Sequence, residues 1–178
     1  MPRTLICLLL ITSPLPLFAQ ATGELLQAAR EVIAASRYCF FITSDNTGQP
    51  QARLMQQFPP GRDFTIWMGT NPRSRKVAQV RANPRTAVAC SDPDGPGYVT
   101  LTGQARPVDA LPERRKHWRP DWDAHFPGGP EGPNYILIEF SPGRLEIVSG
   151  RHKIGVEPGS PRPPALLLRN GQWQPAGN

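Results

Sequence analysis

The chain has 178 residues, a formal net charge of +6 and a pI near 9.8. This length suits one domain with a real core. No internal repeat is present and no second apolar run of about 18 residues follows the N-terminal one, which excludes repeat arrays and multi-span helical membrane proteins. The basic balance would ordinarily suggest nucleic acid, yet the N-terminus reads as an export signal and turns the expectation toward phosphorylated small molecules, acidic surfaces or no particular partner.

Arg3 gives a positive start, Leu5 to Phe18 form an apolar stretch broken by Pro14 and Pro16, and Ala19-Gln20-Ala21 is an A-x-A cleavage site. Cleavage after Ala21 leaves a mature chain beginning at Thr22, periplasmic or secreted, with no stable membrane anchor. Cys7 lies inside the signal rather than at its end, so no lipoprotein anchor is expected. A lone Arg3 in place of a twin-arginine pair indicates export as an unfolded chain. Two cysteines survive processing, Cys39 and Cys90; in an oxidising compartment they either bridge or remain two buried thiols. The expected organisation is a signal peptide over residues 1–21, one domain over 22–150, and a proline-rich extension over 151–178 that contains a hairpin.

Residues 22 to 37 place Leu25, Leu26, Ala29, Val32 and Ile33 at helical spacing behind Thr22, an N-cap. "YCFFITS", "QARLMQQF" and "DFTIWMG" follow as strands parted by "DNTGQP" and "PPGR", and predict an antiparallel meander. In "TNPRSRKVAQVRANPR", Asn71 is the expected N-cap and Pro72 the first helical residue, with Val77, Ala78 and Val80 on one face and Asn83-Pro84 as the stop. "RTAVACS" and "YVTLTGQARPVD" are the next strands, with Gly103 marking a bend or bulge. Leu111 to His125 predicts a short helix and loop carrying Trp118 and Trp122, and "FPGGPEGP" is too rich in glycine and proline to be regular. "NYILIEF" and "RLEIVSG" are expected to pair across Ser141-Pro142-Gly143, and "ALLLRNGQWQP" carries an Asn-Gly hairpin signal. The count is six or seven short antiparallel strands with two or three helices, a closed or partly closed β-barrel.

The segment Thr70-Asn71-Pro72-Arg73-Ser74-Arg75-Lys76 leaves a strand and enters a helix while presenting two hydroxyls, an amide and three cations. Unpaired N–H groups and the dipole at a helix start attract a phosphate, and arginine can hold two of its oxygens at once. Cations in the first turn oppose that dipole, so an anion is what would justify them.

"ARLM", then "IWMGTNPRSRKVAQVRANPRTAVAC", then "YVTLTGQARPVD" resemble the FMN-binding split-barrel family of pyridoxamine 5′-phosphate oxidase, in its general-stress-protein branch. The resemblance runs in order over roughly residues 30 to 150, and "FPGGPEGPNYILIEFSP" is similar to the end of that branch. It implies a mainly β (α+β) split barrel of six to seven antiparallel strands in Greek-key order with flanking helices. It also implies an FMN cofactor in a cleft between two protomers, and hence a homodimer. Carried onto this sequence, it places Arg53, Leu54 and Met55 along the flavin and ribityl chain, and Trp67, Met68 and Thr70 on the ring side. Ser74, Arg75 and Lys76 fall on the 5′-phosphate, and Tyr98 reaches the flavin from the other subunit. Alternation in "QARLMQQF" independently sets Gln51, Arg53, Met55 and Gln57 on one half-polar face.

The family's arginine-histidine substrate clamp is not reproduced by Arg151, His152 and Lys153, so the vitamin B6 reaction is not implied. The expected function is an exported FMN-dependent oxidoreductase acting on a small molecule, with electron transfer belonging to the flavin and no side chain assigned as acid or base. The alternative is a non-catalytic flavin or haem carrier on the same barrel, with His117, His125 and His152 as available axial ligands and no Cys-x-x-Cys-His motif. Nucleic acid is set aside: Trp118 and Trp122 lie near Arg114, Arg115 and Arg119, but as in any charged helix face. No metal site is expected.

Overall fold

In a computed structural model, residues 17–155 and 162–176 are described; the greater part of the expected signal segment lies outside them. Helix α1 spans Leu17–Ala35, starting ahead of the expected Thr22 because Leu17, Ala19, Gln20 and Ala21 are themselves good helix formers. Its inward stripe buries Ala28, Ala29, Val32 and Ile33. Ser36 follows its last turn, with its hydroxyl proton placed between the Val32 carbonyl at 2.8 Å and the Ser91 carbonyl at 2.7 Å. No helix among the described residues is long and apolar enough to cross a membrane.

Eight strands follow: β1 Cys39–Ser44, β2 Pro50–Met55, β3 Ile66–Thr70, β4 Arg85–Ser91, β5 Gly97–Val108, β6 Ile136–Ser149, β7 Ala165–Arg169 and β8 Gln172–Pro175. Helix α2, Arg75–Ala82, lies between β3 and β4, and α3, Leu111–Lys116, between β5 and β6. The sheet runs β2-β1-β4-β5-β6-β7-β8, every described pairing being antiparallel, with β3 attached to the free edge of the first part of β6. Between the far edges lie an isolated bridge, Gln57 with Met68, and the Phe58 N–H to Trp67 carbonyl bond at 2.9 Å. The sheet therefore curls without closing, the architecture of a split barrel.

Three details differ from the sequence expectations. The first three strands are not a meander: β2 pairs with β1, whereas Ile66–Thr70 pairs with Ile136–Phe140 on β6. The loop after Gln57 carries the chain across the barrel mouth, so that Ile66 and Met68 enter the core. "NYILIEF" and "RLEIVSG" are not two strands but one, because Ser141-Pro142-Gly143 forms no turn. The register with β5 instead slips between Thr102 and Gly103, where proline's missing N–H is tolerated in a bulge. Gly103 is required there, since a Cβ would stand 2.1 Å from the Ser141 carbonyl oxygen. Finally, the N-cap of α2 is Ser74, not Asn71. Asn71 closes the preceding turn, its side-chain oxygen accepting the Arg73 N–H at 2.9 Å.

The C-terminal hairpin forms at Asn170-Gly171, both with positive φ (51° and 75°), as a two-residue primed turn demands. The main core fills the barrel with Phe41, Ile66, Met68, Leu101, Phe140 and Ile147 among others. A second cluster, Val108, Trp122, Tyr135 and Leu137 with Phe58, Trp67, Trp118 and Phe126 around it, packs the α3 segment onto the outside of β3.

Cys39 and Cys90 form a disulfide, with Cα atoms 4.4 Å apart. They extend the ladder in which Phe40 faces Ala89, and the spacing is that of a non-hydrogen-bonded antiparallel pair. The bridge closes a loop across a sequence separation of 51 residues. Its reduction is expected to lower the unfolding free energy by about 2–4 kcal/mol. The check is the urea midpoint measured with and without reductant; coincident midpoints would show that the bridge adds nothing.

Candidate functional site

Arg53 lies on β2 opposite Phe41 of β1, on the same half-polar side as Gln51. Its guanidinium donates to the Thr43 hydroxyl at 2.6 Å, the Gln79 side-chain oxygen at 3.1 Å and the Phe41 carbonyl at 3.3 Å. Thr43 donates in turn to the same Gln79 oxygen at 2.6 Å. Two donors converging on one amide oxygen fix the orientation of that side chain. Strand β1, strand β2 and the second turn of α2 therefore meet at one cation.

The second half of the site comes from the β3 terminus and the start of α2. Thr70 is buried at the end of β3, Lys76 donates to its hydroxyl at 3.1 Å, and the Ser74 hydroxyl stands 3.3 Å from it. Ser74 occupies the N-cap without a side-chain capping bond, so its hydroxyl is not committed to the helix. Arg75 is exposed beside them.

No carboxylate pairs with Arg53, Arg75 or Lys76 among the described residues; all eight ion pairs lie elsewhere. The electrostatic consequence is visible in both inner groups. Lys76 is held below its ordinary pKa by burial and then by the Arg53 charge, and Arg53 is lowered by burial and then by the Arg75 charge. Three cations crowded at a helix start with no counter-charge form a site for an anion, and its hydroxyls and helix-start N–H groups suit phosphate oxygens.

Of the ten residues singled out in the sequence, Arg53, Thr70, Ser74, Arg75 and Lys76 thus come together. The others do not join them by side chain. Met55 and Met68 are buried in the main core, and Trp67 points to the opposite face of β3, stacked on His117 with ring centroids 4.5 Å apart. Leu54 lies on the outer sheet face, where it pairs with Phe40. Tyr98 shares that outer face two ladder steps away, its hydroxyl donating to Glu146 at 3.2 Å. Burial, and then the hydrogen bond and charge of Glu146, raise its pKa. Sequence reasoning missed Thr43 and Gln79. Gln79 lies one helical turn beyond Arg75 and was legible as a neighbour of the site once the helix was placed. Thr43 needed the β1–β2 register.

The outer face of β2-β1-β4-β5 is apolar and open. Leu54 is 59% exposed, Phe40 46%, Tyr38 42% and Tyr98 36%, values that large apolar groups seldom reach together on one sheet side. The remaining candidates are already engaged. Arg151 pairs with Asp94 at 3.0 Å and His152 approaches Glu31 at 3.3 Å. His117 is buried between Trp67 and Phe58, and burial lowers its pKa. Among the described residues no group of three or more His, Cys, Asp or Glu could hold a metal ion.

The lowered pKa of Lys76 has a measurable sign. Its proton is bound less tightly in the folded chain than in the unfolded one, so stability of the ligand-free protein rises as pH climbs from the lowered value toward 10.5. Below that window the cost of the buried charge is fully present. Lys76→Met is expected to flatten this rise and to raise the melting temperature of the ligand-free protein at pH 7. The same change is expected to weaken inorganic phosphate binding by about 10- to 100-fold, the worth of one charge-assisted hydrogen bond. Melting curves across pH 7–10 and phosphate titrations check both.

The comparisons with known proteins bear on the fold and the family. The sequence model of the family described as pyridoxamine 5′-phosphate oxidase matches residues 25–149. Among curated proteins nothing matches significantly. The fold is similar to the crystal structure of General Stress Protein 26 from Bacillus anthracis (TM-score 0.62, 23% identity, covering 70% of this chain and 94% of that one). A related protein from Clostridium acetobutylicum gives a TM-score of 0.64 at 17% identity, over 72% of this chain and 90% of that one. A pyridoxamine 5′-phosphate oxidase-related, FMN-binding protein from Nostoc punctiforme gives 0.58 at 16% identity, over 93% and 100%. With the family match running from α1 to the end of β6, this chain belongs to the pyridoxamine 5′-phosphate oxidase family.

Proposed function

We propose that the protein is an exported FMN-binding flavoprotein, a homodimer that exchanges electrons with a small molecule. The observation that carries this is the meeting of Arg53, Arg75 and Lys76 without a carboxylate, beside a Ser74 hydroxyl that makes no capping bond to its helix. Bound there, FMN supplies hydride or single-electron transfer. In this reading Arg53, Ser74, Arg75 and Lys76 hold its phosphate, and Thr70 orients Lys76 through its hydroxyl. Thr43 and Gln79 keep the Arg53 guanidinium in place before the anion arrives, so little ordering is left to do on binding.

The homodimer is supported by the open apolar sheet face carrying Leu54, Phe40, Tyr38 and Tyr98. It adjoins β2, so a second copy seated on it would wall the cofactor with its own Tyr98 and exclude water. Export is supported by the A-x-A segment and by the disulfide, since such bridges persist in oxidising compartments. Arg151 is paired with Asp94 and His152 lies 3.3 Å from the Glu31 carboxylate, which argues against a phosphate clamp at that place and for a substrate other than a pyridoxine phosphate.

Two measurements test the reading. Mature protein from the exported fraction, titrated with FMN and followed by flavin fluorescence, is expected to bind stoichiometrically. Arg75→Ala with Lys76→Ala is expected to lower FMN affinity by at least about 100-fold, two charge-assisted contacts being lost, while riboflavin, which lacks the phosphate, is unaffected. Equal losses for both ligands, or a Soret band in place of flavin bands, would overturn it. Phe40→Asp is expected to yield monomers in sedimentation with FMN affinity lost alongside; a dimer that persists with flavin bound would place the interface elsewhere.

A further inference from the structure

A polar cavity of about 280 Å³ lies away from the cation cluster, where the close of α1 meets the residues just past β2 and the segment after α3. Its volume is close to the lower bound for cavities that hold small-molecule ligands, about 300 Å³. None of its walls belongs to the cluster. Met55, buried in the main core, stands between Arg53 and Gln57 on their side of the chain and separates the two places.

Gln57 lines the cavity and is only 6% exposed. Its side-chain nitrogen donates to the Ser36 carbonyl at 2.6 Å and to the Ile33 carbonyl at 3.3 Å, and two carbonyl acceptors fix which end of the amide is the nitrogen. The oxygen is the end left over, and it is buried without a hydrogen-bond partner among the described residues. Interiors rarely leave such an acceptor unpaired, so a donor from outside the fold would complete it.

The other walls divide by charge. Ile33 and Ala34 belong to the last turn of α1, which holds no basic residue, so no cation of that turn offsets the negative end of the helix dipole. The remaining groups are donors. Arg37 and Arg119 both line the cavity, and neither is paired with a carboxylate among the described residues. Arg119 donates to the Gln57 backbone carbonyl at 2.8 Å and lies 4.7 Å over the Phe58 ring, which holds it in place, while its Nε–H is buried without a partner. Gln56 turns its side-chain oxygen to the Trp122 indole N–H at 2.9 Å, so its own N–H pair is the end that remains.

The geometry points to a binding site for a small zwitterion, an amino acid with a short side chain. Its ammonium donates to the Gln57 oxygen at the close of α1, and its carboxylate accepts from Arg119, Arg37 and the Gln56 amide. An anion alone would leave the Gln57 oxygen unpaired and meet the helix end with the wrong sign. A cation alone would leave two arginines without a counter-charge. The site stands or falls independently of the flavin reading.

Isothermal titration of the mature protein tests it, with glycine, L-alanine and L-serine as ligands and with acetate and methylamine as the separate halves. At least one of the amino acids is expected to bind at one per chain, and each half to bind at least about tenfold more weakly. Arg37→Ala, at an exposed residue, is expected to weaken amino-acid binding about tenfold, the worth of one charge-assisted contact. Ala34→Phe, at an exposed residue of the last turn of α1, fills the cavity and is expected to abolish binding. Unchanged melting temperatures establish that both variants fold. No binding of any of the three amino acids, acetate binding as tightly as they do, or affinities unmoved by both variants overturns the inference.

Discussion

Strand β6 pairs with β5 along nearly its whole length and divides its other edge between β3 and β7. Everything at the site depends on that division. By taking β3 onto its first half, β6 draws Thr70 and the start of α2 to the mouth of the barrel, within reach of the edge strand β2 that carries Arg53. The slip at Gly103 and Pro142 is what lets one strand serve both partners. The cation cluster is thus built at the unclosed seam of the sheet, where two edges face each other with little backbone bonding between them.

That placement explains a cost. Arg53 and Lys76 are partly desolvated and repel one another, with no carboxylate to offset them, and α2 begins with positive charge against its own dipole. Selection for stability alone would not produce such an arrangement, since replacing a cation would relieve it. The strain is spread over residues with other anchors: Gln79 and Thr43 hold Arg53, and Thr70 holds Lys76. The rest of the fold offsets it through the barrel core and the cross-strand disulfide.

The barrel class, the bend at Gly103, the Asn170-Gly171 hairpin and the family were legible in the sequence because each rests on local chemistry: alternation, a required glycine, a primed turn, an ordered set of motifs. The partner of β3 was not. Its pairing is decided by which hydrophobic edge lies across the barrel, and periodicity carries no information on that. Ser141-Pro142-Gly143 read as a turn because its residues suit one, and only the continuous ladder with β5 shows it as a bulge. Trp67 and Thr70 stand on opposite faces of β3 by strict alternation, so the grouping of both on one side of a cofactor was at odds with the strand's own period. The disulfide stayed undecided for want of register, since two cysteines bridge across a sheet only when they face each other.

Gly69 carries no side chain, and for that reason the Trp122 indole lies directly against β3: a Cβ there would stand 2.3 Å from its ring. Trp67, Trp118 and Trp122, three of the four tryptophans, are gathered in this one cluster on the reverse of the strand whose end is Thr70. Indole emission overlaps flavin absorption, so the cluster is a built-in optical donor behind the site. On the proposed reading, loading of the protein with a flavin would register in its own tryptophans, without a label.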